Sequence, residues 1–248
     1  MNETQLLKEL QNLNITLTGE QIKNLNLYCD FLLQENQITN LTAIRDKENV
    51  FLKHIYDSLT LVTALNLKNE KLYFENQNQE ISNLLDIGTG PGFPGIIMKI
   101  CFPYLDVTLL DSNRKKTNFL KKVCQNLNLE NVTIITDRAE NFINNNREIF
   151  DLVTTRAVAK LNVIMELSIP FVKQKGYFIA MKGIEDLQEK QDGLFAAIKL
   201  KCEIDSIKKF KLPIENSDRT LYVIRKKGLT PKEYPRRYEQ IKKKPITN

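Results

Sequence analysis

The chain has 248 residues, 42% of them hydrophobic, so it is long enough to bury a full core and to form one main domain. No run approaches the roughly 18 consecutive apolar residues of a membrane-spanning helix, and the polar start Met1–Gln5 lacks the regions of a signal peptide. We therefore expect a soluble, cytoplasmic protein. Four widely spaced cysteines and a single histidine also argue against a zinc site.

The net charge of +6 is concentrated at the end of the chain. Residues Arg225–Asn248 contain nine Lys or Arg and two Glu, which leaves the first 224 residues close to neutral. This distribution predicts a tail that binds a polyanion, attached to a body that handles a small molecule.

Helical spacing of apolar residues predicts two helices within residues 3–38. Thr18 would cap the second helix, with Gln21 as its capping-box partner. The same spacing predicts a further helix over 47–65. The polar segment 66–80 has no periodicity and predicts a surface loop.

From residue 81 the pattern alternates between short apolar runs and amphipathic stretches. The predicted strands are 81–87, 106–111, 132–136, 150–155 and 176–181, and the predicted helices are 94–102, 114–127, 138–145, 162–171 and 184–199. The runs 202–210 and 220–225 predict a closing antiparallel hairpin. Alternation of this kind indicates an α/β protein with a parallel, doubly wound sheet, whose ligand lies at the carboxyl ends of the strands.

A glycine-rich loop follows the first of these strands. The run Leu84–Gly95 contains four glycines within eight positions, and glycine lets the backbone take positive φ values and approach a ligand closely. Gly90, Gly92 and Gly95 also fit the dinucleotide fingerprint. NAD and an adenosine ligand with an amino-acid tail are therefore both candidates.

Two carboxylates help to choose between these ligands. Asp86 lies two residues before Gly88, where it would attract the ammonium of a methionyl group and repel a pyrophosphate. Asp111 ends the next strand roughly 20 residues after Gly88, the spacing of a ribose-diol acceptor. Capping of the helix at 114–127 is its alternative role. The pair favours the adenosine ligand with a charged amino-acid tail over NAD.

Further motifs accompany the glycine loop from about residue 40 to the basic tail: Asn40–Arg45, His54–Leu59, Leu109–Ser112, Arg138–Glu140, Thr155–Ala159, Met181–Gly183 and Thr230–Arg237. Together with Leu84–Gly95, this combination resembles the bacterial small-subunit rRNA guanine-N7 methyltransferase family, also called glucose-inhibited division protein B. The resemblance implies a class I methyltransferase fold, which is Rossmann-like with a seven-stranded, mostly parallel sheet.

The resemblance also implies a reaction and its partners. S-adenosyl-L-methionine would be the cofactor, and N7 of a guanine in the 530 loop of 16S ribosomal RNA would accept the methyl group. The partner would be this RNA or the small ribosomal subunit, bound by a monomer that needs neither a metal ion nor a membrane. A NAD-dependent oxidoreductase and a non-catalytic RNA-binding protein are the alternatives.

Roles for single residues follow from the resemblance and from their positions. The cofactor would contact Asp86, Gly88, Gly90, Phe93, Asp111, Ala139, Glu140 and Arg156. Arg156 would also be the catalytic residue, with an ion pair to Asp151 or Asp86 as its alternative role. The RNA would contact Asn40, Arg45, His54, Lys182, Arg236 and Arg237, although a buried structural role is the alternative for His54.

Three parts are expected along the chain. An N-terminal helical extension at 1–65 would pack on a Rossmann-like methyltransferase domain at 66–226, and a basic RNA-binding tail would occupy 227–248. In the tail, Tyr234 and Tyr238 alternate with basic residues and would stack on unpaired bases.

Overall fold

The computed structural model describes residues 1–75, 79–156 and 159–247. Its N-terminal part contains α1 (Glu3–Gln11), α2 (Gly19–Thr39), α3 (Lys47–Val50), a π-helix (Phe51–Tyr56), α4 (Asp57–Leu59), a 3₁₀-helix (Thr60–Ala64), β1 (Leu65–Lys68) and β2 (Lys71–Phe74). Among the helices in the described ranges, none has both the length and the apolar character needed to cross a membrane.

The remainder alternates between strands and helices, as predicted. It contains β3 (Asn83–Ile87), α5 (Gly95–Cys101), β4 (Asp106–Asp111), α6 (Arg114–Asn126), β5 (Val132–Thr136), α7 (Ala139–Phe142), a 3₁₀-helix (Ile143–Asn145), β6 (Phe150–Arg156), α8 (Leu161–Ser168), a 3₁₀-helix (Ile169–Phe171), β7 (Val172–Lys182), α9 (Leu187–Leu200), β8 (Cys202–Lys211), β9 (Asp218–Lys226) and α10 (Tyr238–Lys243). Ala157 and Val158 of the Thr155–Ala159 motif lie outside the described residues.

Helix α2 reaches from a capping box to the glycine loop. The Thr18 hydroxyl accepts a hydrogen bond from the Gln21 N–H at 3.2 Å, and the Gln21 side chain accepts one from the Thr18 N–H at 2.8 Å. The predicted capping box is therefore confirmed. Farther along the helix, the buried Tyr28 hydroxyl donates to the Pro91 carbonyl at 2.7 Å. The N-terminal extension thus supports the loop directly.

The segment predicted as one regular helix at 47–65 has a different geometry. A turn of α-helix at α3 passes into the π-helix, and short α- and 3₁₀-helical turns follow up to Ala64. Phe51 and Ile55 are buried in this geometry as they would be in an α-helix, so the apolar pattern does not distinguish the two. Short π-helical segments occur frequently at functional sites, and His54 lies on this one.

The prediction of a surface loop at 66–80 is wrong. β1 and β2 pair as an antiparallel hairpin, with Leu65 opposite Phe74. Phe74 is buried, and the Leu72 N–H donates to the Tyr104 hydroxyl at 2.7 Å. Residues 76–78 of the expected loop lie outside the described residues.

The seven strands β3 to β9 form one sheet in the order β5-β4-β3-β6-β7-β9-β8. Strands β5, β4, β3, β6 and β7 are parallel, while β9 is antiparallel to both of its neighbours. The predicted seven-stranded sheet with a closing hairpin is confirmed. The chain order changes direction at β3, which has β4 on one side and β6 on the other, and such switch points create ligand crevices at the carboxyl ends of the strands.

Successive side chains of a strand point to opposite faces, so the sheet has two cores. Leu84 faces a core with α1, α2, α5 and α6, and the next residue, Leu85, faces one with α8 and α9. Ile241 of α10 and Ile246 belong to the second core. The C-terminal segment therefore completes one face of the domain.

This packing means that residues 227–247 are not an extended tail. Ile241 is fully buried, and the Asn162 side chain donates to the Ile246 carbonyl at 2.8 Å. An Arg147 Nη donates to the Tyr234 carbonyl at 2.6 Å. The three lysines at 242–244 remain exposed on this segment. The boundaries of the three expected parts stay a prediction.

Candidate active site

A cavity of about 560 Å³ opens at the carboxyl ends of β3, β4, β5 and β6. Small-ligand sites range from about 300 to 1,000 Å³, so it can hold a nucleoside-sized ligand. Most of the predicted cofactor residues line it, together with one predicted RNA contact: Gly88, Gly90, Phe93, Asp111, Ala139, Glu140, Arg156 and His54.

The glycine loop forms one wall of the cavity. Gly88 and Gly90 have φ values of +68° and +60°, in the left-handed region that favours glycine. The Gly88 N–H donates to the Leu110 carbonyl at 2.8 Å, so this loop position offers a ligand its Cα and carbonyl group. The Gly90 N–H is likewise used within the protein, by Asp111 at 2.9 Å.

Asp86 lies behind the loop and does not line the cavity. One carboxylate oxygen of the fully buried side chain accepts from the Thr89 hydroxyl at 2.6 Å and from the Gly95 N–H at 2.8 Å. Burial raises the pKa of Asp86 to about 6. The carboxylate thus fastens the start of α5 to the end of β3, and its predicted contact with the cofactor ammonium stays a prediction.

Asp111 lines the cavity and is held in place by two backbone groups. Its Oδ2 accepts from Gly90, and its Oδ1 accepts from the Asn113 N–H at 2.8 Å. The cap of α6 is Asn113, whose side chain accepts from the Lys115 N–H at 2.9 Å, so capping is not the role of Asp111. Each oxygen of a carboxylate accepts more than one hydrogen bond, so Asp111 can still receive the hydroxyls of a ribose.

The cavity extends past Asp111 to the start of α7 and to the C-terminal segment. Ala139 is buried there, and Glu140 lies 3.9 Å from Arg138. Tyr238 also lines the cavity, with its ring centre 5.8 Å from the Arg138 guanidinium carbon. Tyr238, predicted to stack on RNA bases, is therefore part of the cavity wall.

Arg156 occupies the opposite end of the cavity, at the end of β6. Its Nη1 donates to the Lys53 carbonyl at 2.8 Å, and its Nη2 donates to His54 Nδ1 at 3.0 Å. The guanidinium carbon lies 4.9 Å from the centre of the Phe93 ring, a cation–π distance. The π-helix and the glycine loop thus hold this side chain together.

The ion pair of Arg156 differs from both partners considered from the sequence. Arg156 Nη1 lies 3.3 Å from Asp57, and Arg219 Nε donates to the other oxygen of the same carboxylate at 2.9 Å. Asp151 instead accepts from backbone N–H groups of the Ser82–Asn83 segment, and Asp86 accepts within the loop. Sequence reasoning missed Arg219 because it lies on β9, far along the chain from the other two residues.

Arg156 also determines which nitrogen of His54 carries the proton. His54 Nδ1 lies 3.0 Å from Arg156 Nη2 and 3.1 Å from the Lys53 carbonyl oxygen, and these neighbours demand opposite roles because arginine only donates and a carbonyl only accepts. The Lys53 carbonyl already accepts from Arg156 Nη1 at 2.8 Å, whereas a proton on Nδ1 would face an arginine N–H, so we assign Nδ1 as the acceptor. The proton is therefore on Nε2, which donates to the Thr42 hydroxyl oxygen at 2.8 Å. Desolvation and the neighbouring Arg156 charge lower the pKa of His54 to about 3. The ring, stacked on Phe93 at 4.1 Å between centres, stays neutral at physiological pH.

The other predicted RNA contacts do not line the cavity: Asn40, Arg45, Lys182, Arg236 and Arg237. Asn40 and Arg45 are exposed and bonded to each other at 2.9 Å, next to the cavity residues Leu41 and Thr42. Lys182 is paired with Glu189 at 2.6 Å.

Arg236 has a structural partner instead of a free side chain. Its Nε and Nη2 donate to the two carboxylate oxygens of Glu166 at 2.8 and 2.7 Å, and its N–H donates to the same group at 3.0 Å. Glu166 is fully buried. The guanidinium therefore neutralises a buried carboxylate, and its predicted contact with RNA stays a prediction.

We expect Arg236→Ala to lower the free energy of unfolding by about 3 kcal/mol, because it leaves the buried Glu166 without its partner. The neighbouring Arg237→Ala is the control, since Arg237 is exposed and its loss is expected to cost less than about 0.5 kcal/mol. Urea unfolding measures both variants. Equal destabilisation would contradict the assignment.

The comparisons with known proteins agree with this geometry. The family model for rRNA small subunit methyltransferase G matches residues 21–221. The chain is 42% identical to the ribosomal RNA small subunit methyltransferase G of Bacillus subtilis (strain 168) over 248 residues, with 99% of each chain covered. The enzyme of that name from Oceanobacillus iheyensis is 43% identical, with 99% of this chain and 100% of its own covered. The chain belongs to the rRNA small subunit methyltransferase G family.

A solved structure independently supports the fold. A putative methyltransferase from Bacillus halodurans is similar with a TM-score of 0.51 at 13% identity, covering 69% of this chain and 99% of its own. The family resemblance and the class I methyltransferase fold predicted from the sequence are thus confirmed. The protein is an S-adenosylmethionine-dependent methyltransferase, and the oxidoreductase and non-catalytic alternatives are set aside.

Proposed function

We propose that the chain methylates N7 of a guanine in small-subunit ribosomal RNA, in the 530 loop that its motifs imply, as a cytoplasmic monomer without a metal ion. The observation that carries this proposal is the division of one cavity into two ends. Asp111 and Ala139 lie at the end over β4 and β5, whereas Arg156, His54 and Phe93 lie at the end over β3 and β6. The first end suits an adenosine, and the second suits transfer of the methyl group to the acceptor base.

The residues of the cavity fit S-adenosylmethionine. Asp111 would accept hydrogen bonds from the ribose hydroxyls. Ala139 and Glu140, at the start of α7, would contact the adenine edge. Gly88 and Phe93 would border the methionyl part. Backbone N–H groups at the start of a helix lack partners within it, so they are available to a base. When bound, the cofactor supplies a methyl group on a positively charged sulfur.

The proposed reaction needs no general base. Guanine N7 has a lone pair and no proton, so the protein has nothing to remove from it. His54 is neutral, and its Nδ1 already accepts from Arg156. Catalysis would then come from alignment of the reacting atoms and exclusion of water, and alignment alone can contribute several kcal/mol. Arg156 and Phe93 lie where they would align the reacting atoms.

The pH profile tests this mechanism. We expect the single-turnover rate to show no inflection near about 6.5, the ordinary histidine pKa, because the pKa of His54 is about 3. His54→Gln should keep most of the rate. A lowered histidine pKa costs stability as pH falls below the unfolded value, so unfolding is monitored in parallel by circular dichroism. An inflection near 6.5 that His54→Gln removes would contradict the mechanism.

Lys242, Lys243 and Lys244 are exposed near the end of the C-terminal segment and are therefore available to RNA. Replacing all three with Gln should change how strongly RNA binding depends on salt. The slope of the logarithm of the RNA-binding constant against the logarithm of the salt concentration should fall by roughly 2 in magnitude, at about 0.7 per phosphate contact for single strands. The core residue Ile241 is left in place. Lys8→Gln with Lys199→Gln removes two exposed lysines that do not line the cavity and is the control. Equal slopes for all proteins would place the RNA surface elsewhere.

Transfer of a radiolabelled methyl group tests the function itself. The acceptors are purified small-subunit rRNA and assembled subunits from cells that lack this gene, and strand cleavage at N7-methylguanine maps the modified position. We expect a single guanine in the 530 loop. If the protein binds S-adenosylmethionine in calorimetry yet methylates neither acceptor, the proposed substrate is wrong.

A further inference from the structure

Thr42 is a cavity residue that the sequence analysis did not single out. We propose that its hydroxyl donates a hydrogen bond to O6 of the substrate guanine and so makes Thr42 a specificity-determining residue. This inference rests on the proposed function, because it names the group that distinguishes the acceptor base from adenine.

The hydrogen bonds of Thr42 define the direction in which its hydroxyl can act. Oγ1 lies 2.8 Å from His54 Nε2, which carries the ring proton, and 3.2 Å from the Ile44 N–H, which donates to it. A hydroxyl has two acceptor lone pairs and one donor hydrogen. Both lone pairs are used, so what Thr42 offers the cavity is its O–H.

The backbone around Thr42 is anchored, so this donor is held in place. The buried Asn36 side chain accepts from the Thr42 N–H at 2.9 Å and donates to the carbonyls of Thr42 and Ile44 at 2.9 and 3.0 Å. On the other side, Arg156 fixes the tautomer of His54, which fixes the role of Oγ1. A preorganised donor of this kind discriminates between ligands more sharply than a freely rotating one.

Thr42 also lies at the correct end of the cavity. Its partner His54 bonds Arg156 at the end of β6, on the side of β3 opposite to Asp111 and β4. The adenosine would occupy the Asp111 side. The base that receives the methyl group would therefore enter beside Thr42.

Guanine and adenine differ at the position next to N7. Guanine has the acceptor O6 there, whereas adenine has the donor N6 amino group, and both bases have an N7 lone pair. A donating hydroxyl therefore favours guanine and opposes adenine. It leaves N7 itself free to react.

A double-mutant cycle between protein and RNA tests the contact. The variants are Thr42→Val, which removes the hydroxyl, and Thr42→Ser, which retains it. The substrates are synthetic rRNA fragments that carry either guanine or 2-aminopurine, which lacks O6, at the methylated position. Thr39→Val is the control, because the Thr39 hydroxyl bonds the Glu35 carbonyl within α2 and does not line the cavity.

With guanine, we expect Thr42→Val to lose about tenfold in kcat/KM, the size of one neutral hydrogen bond, and Thr42→Ser and Thr39→Val to retain the rate. With 2-aminopurine, Thr42→Val should equal the wild-type protein. The cycle cancels the different reactivity of the two bases, and calorimetry with S-adenosylmethionine checks that the cofactor site is intact.

Equal losses of Thr42→Val on both substrates would overturn the inference, because a merely structural role lowers both rates alike. So would a Thr42→Val protein with unchanged kcat/KM on guanine. Failure of the wild-type protein to methylate the guanine fragment would instead count against the proposed function, so the two failures are distinguishable.

Discussion

Gly88→Val is expected to weaken the binding of S-adenosylmethionine by about 100-fold. Gly88 has a φ of +68° and lines the cavity. A β-branched residue in the left-handed region is strained by on the order of 1–3 kcal/mol, and relief of that strain would displace a backbone position that lines the cavity. The sheet should survive, because the substitution lies after the last residue of β3.

Calorimetric titration with the cofactor measures this effect, and thermal unfolding shows whether the variant is folded. Gly19→Val is the matched control, since Gly19 starts α2 at an exposed position where an added Cβ meets nothing within 4 Å. A folded Gly88→Val protein with the affinity of the wild type would show that this loop does not hold the cofactor.

The parts of the site that lie at strand ends could be predicted from the sequence. Strands β4 and β6 are short and mostly buried, so their apolar runs also locate the residues at their carboxyl ends. Asp111 at the end of β4 and Arg156 at the end of β6 were placed correctly in this way. Parallel strands bring such positions to one edge of the sheet, so no long-range information was required.

The partners of these residues could not be predicted, because each depends on two distant segments. Asp57 joins Arg156 to Arg219, and no local pattern connects the three. The π-helix was missed for another reason, since its buried positions fit an α-helical pattern equally well. In both cases tertiary contacts, and not local periodicity, select the geometry.

The ion pair between Arg236 and Glu166 was missed, although the sequence holds a signal for it. Arg236 was assigned to RNA because it lies in a basic stretch. Helix α8 is apolar apart from a few polar residues, and Glu166 within it is fully buried. A carboxylate in such a helix requires a cation in the core, and Arg236 supplies it.

Arg156→Ala is expected to lower the single-turnover rate of methyl transfer by about 100-fold, a loss that a displacement of about 1 Å can cause. Arg156 contacts the π-helix through the Lys53 carbonyl and His54, and the glycine loop through Phe93. Its removal releases these walls of the cavity from one another. The protein should remain folded, because Asp57 keeps its bond to Arg219.

Arg156→Lys tests the positive charge of Arg156 separately from the planar shape of its guanidinium. A lysine ammonium can pair with Asp57 but cannot reproduce the planar set of donors or the stacking on Phe93, so we expect it to recover only a small part of the rate. Lys199→Ala is the control, because Lys199 is exposed on α9 and does not line the cavity. Rates for Arg156→Ala within a few-fold of the control would contradict a positioning role.

Arg156→Ala also links the rate of methyl transfer to the protonation of His54. The positive charge of Arg156 adds to desolvation in lowering the pKa of His54, so Arg156→Ala should raise that pKa toward its ordinary value. It also frees Nδ1, so that the ring no longer has to place its proton on Nε2. The hydroxyl of Thr42 then loses its fixed role as a donor. Arg156→Ala should therefore lower the preference for guanine over 2-aminopurine as well as the rate, whereas a variant that affects only cofactor binding should leave that preference unchanged.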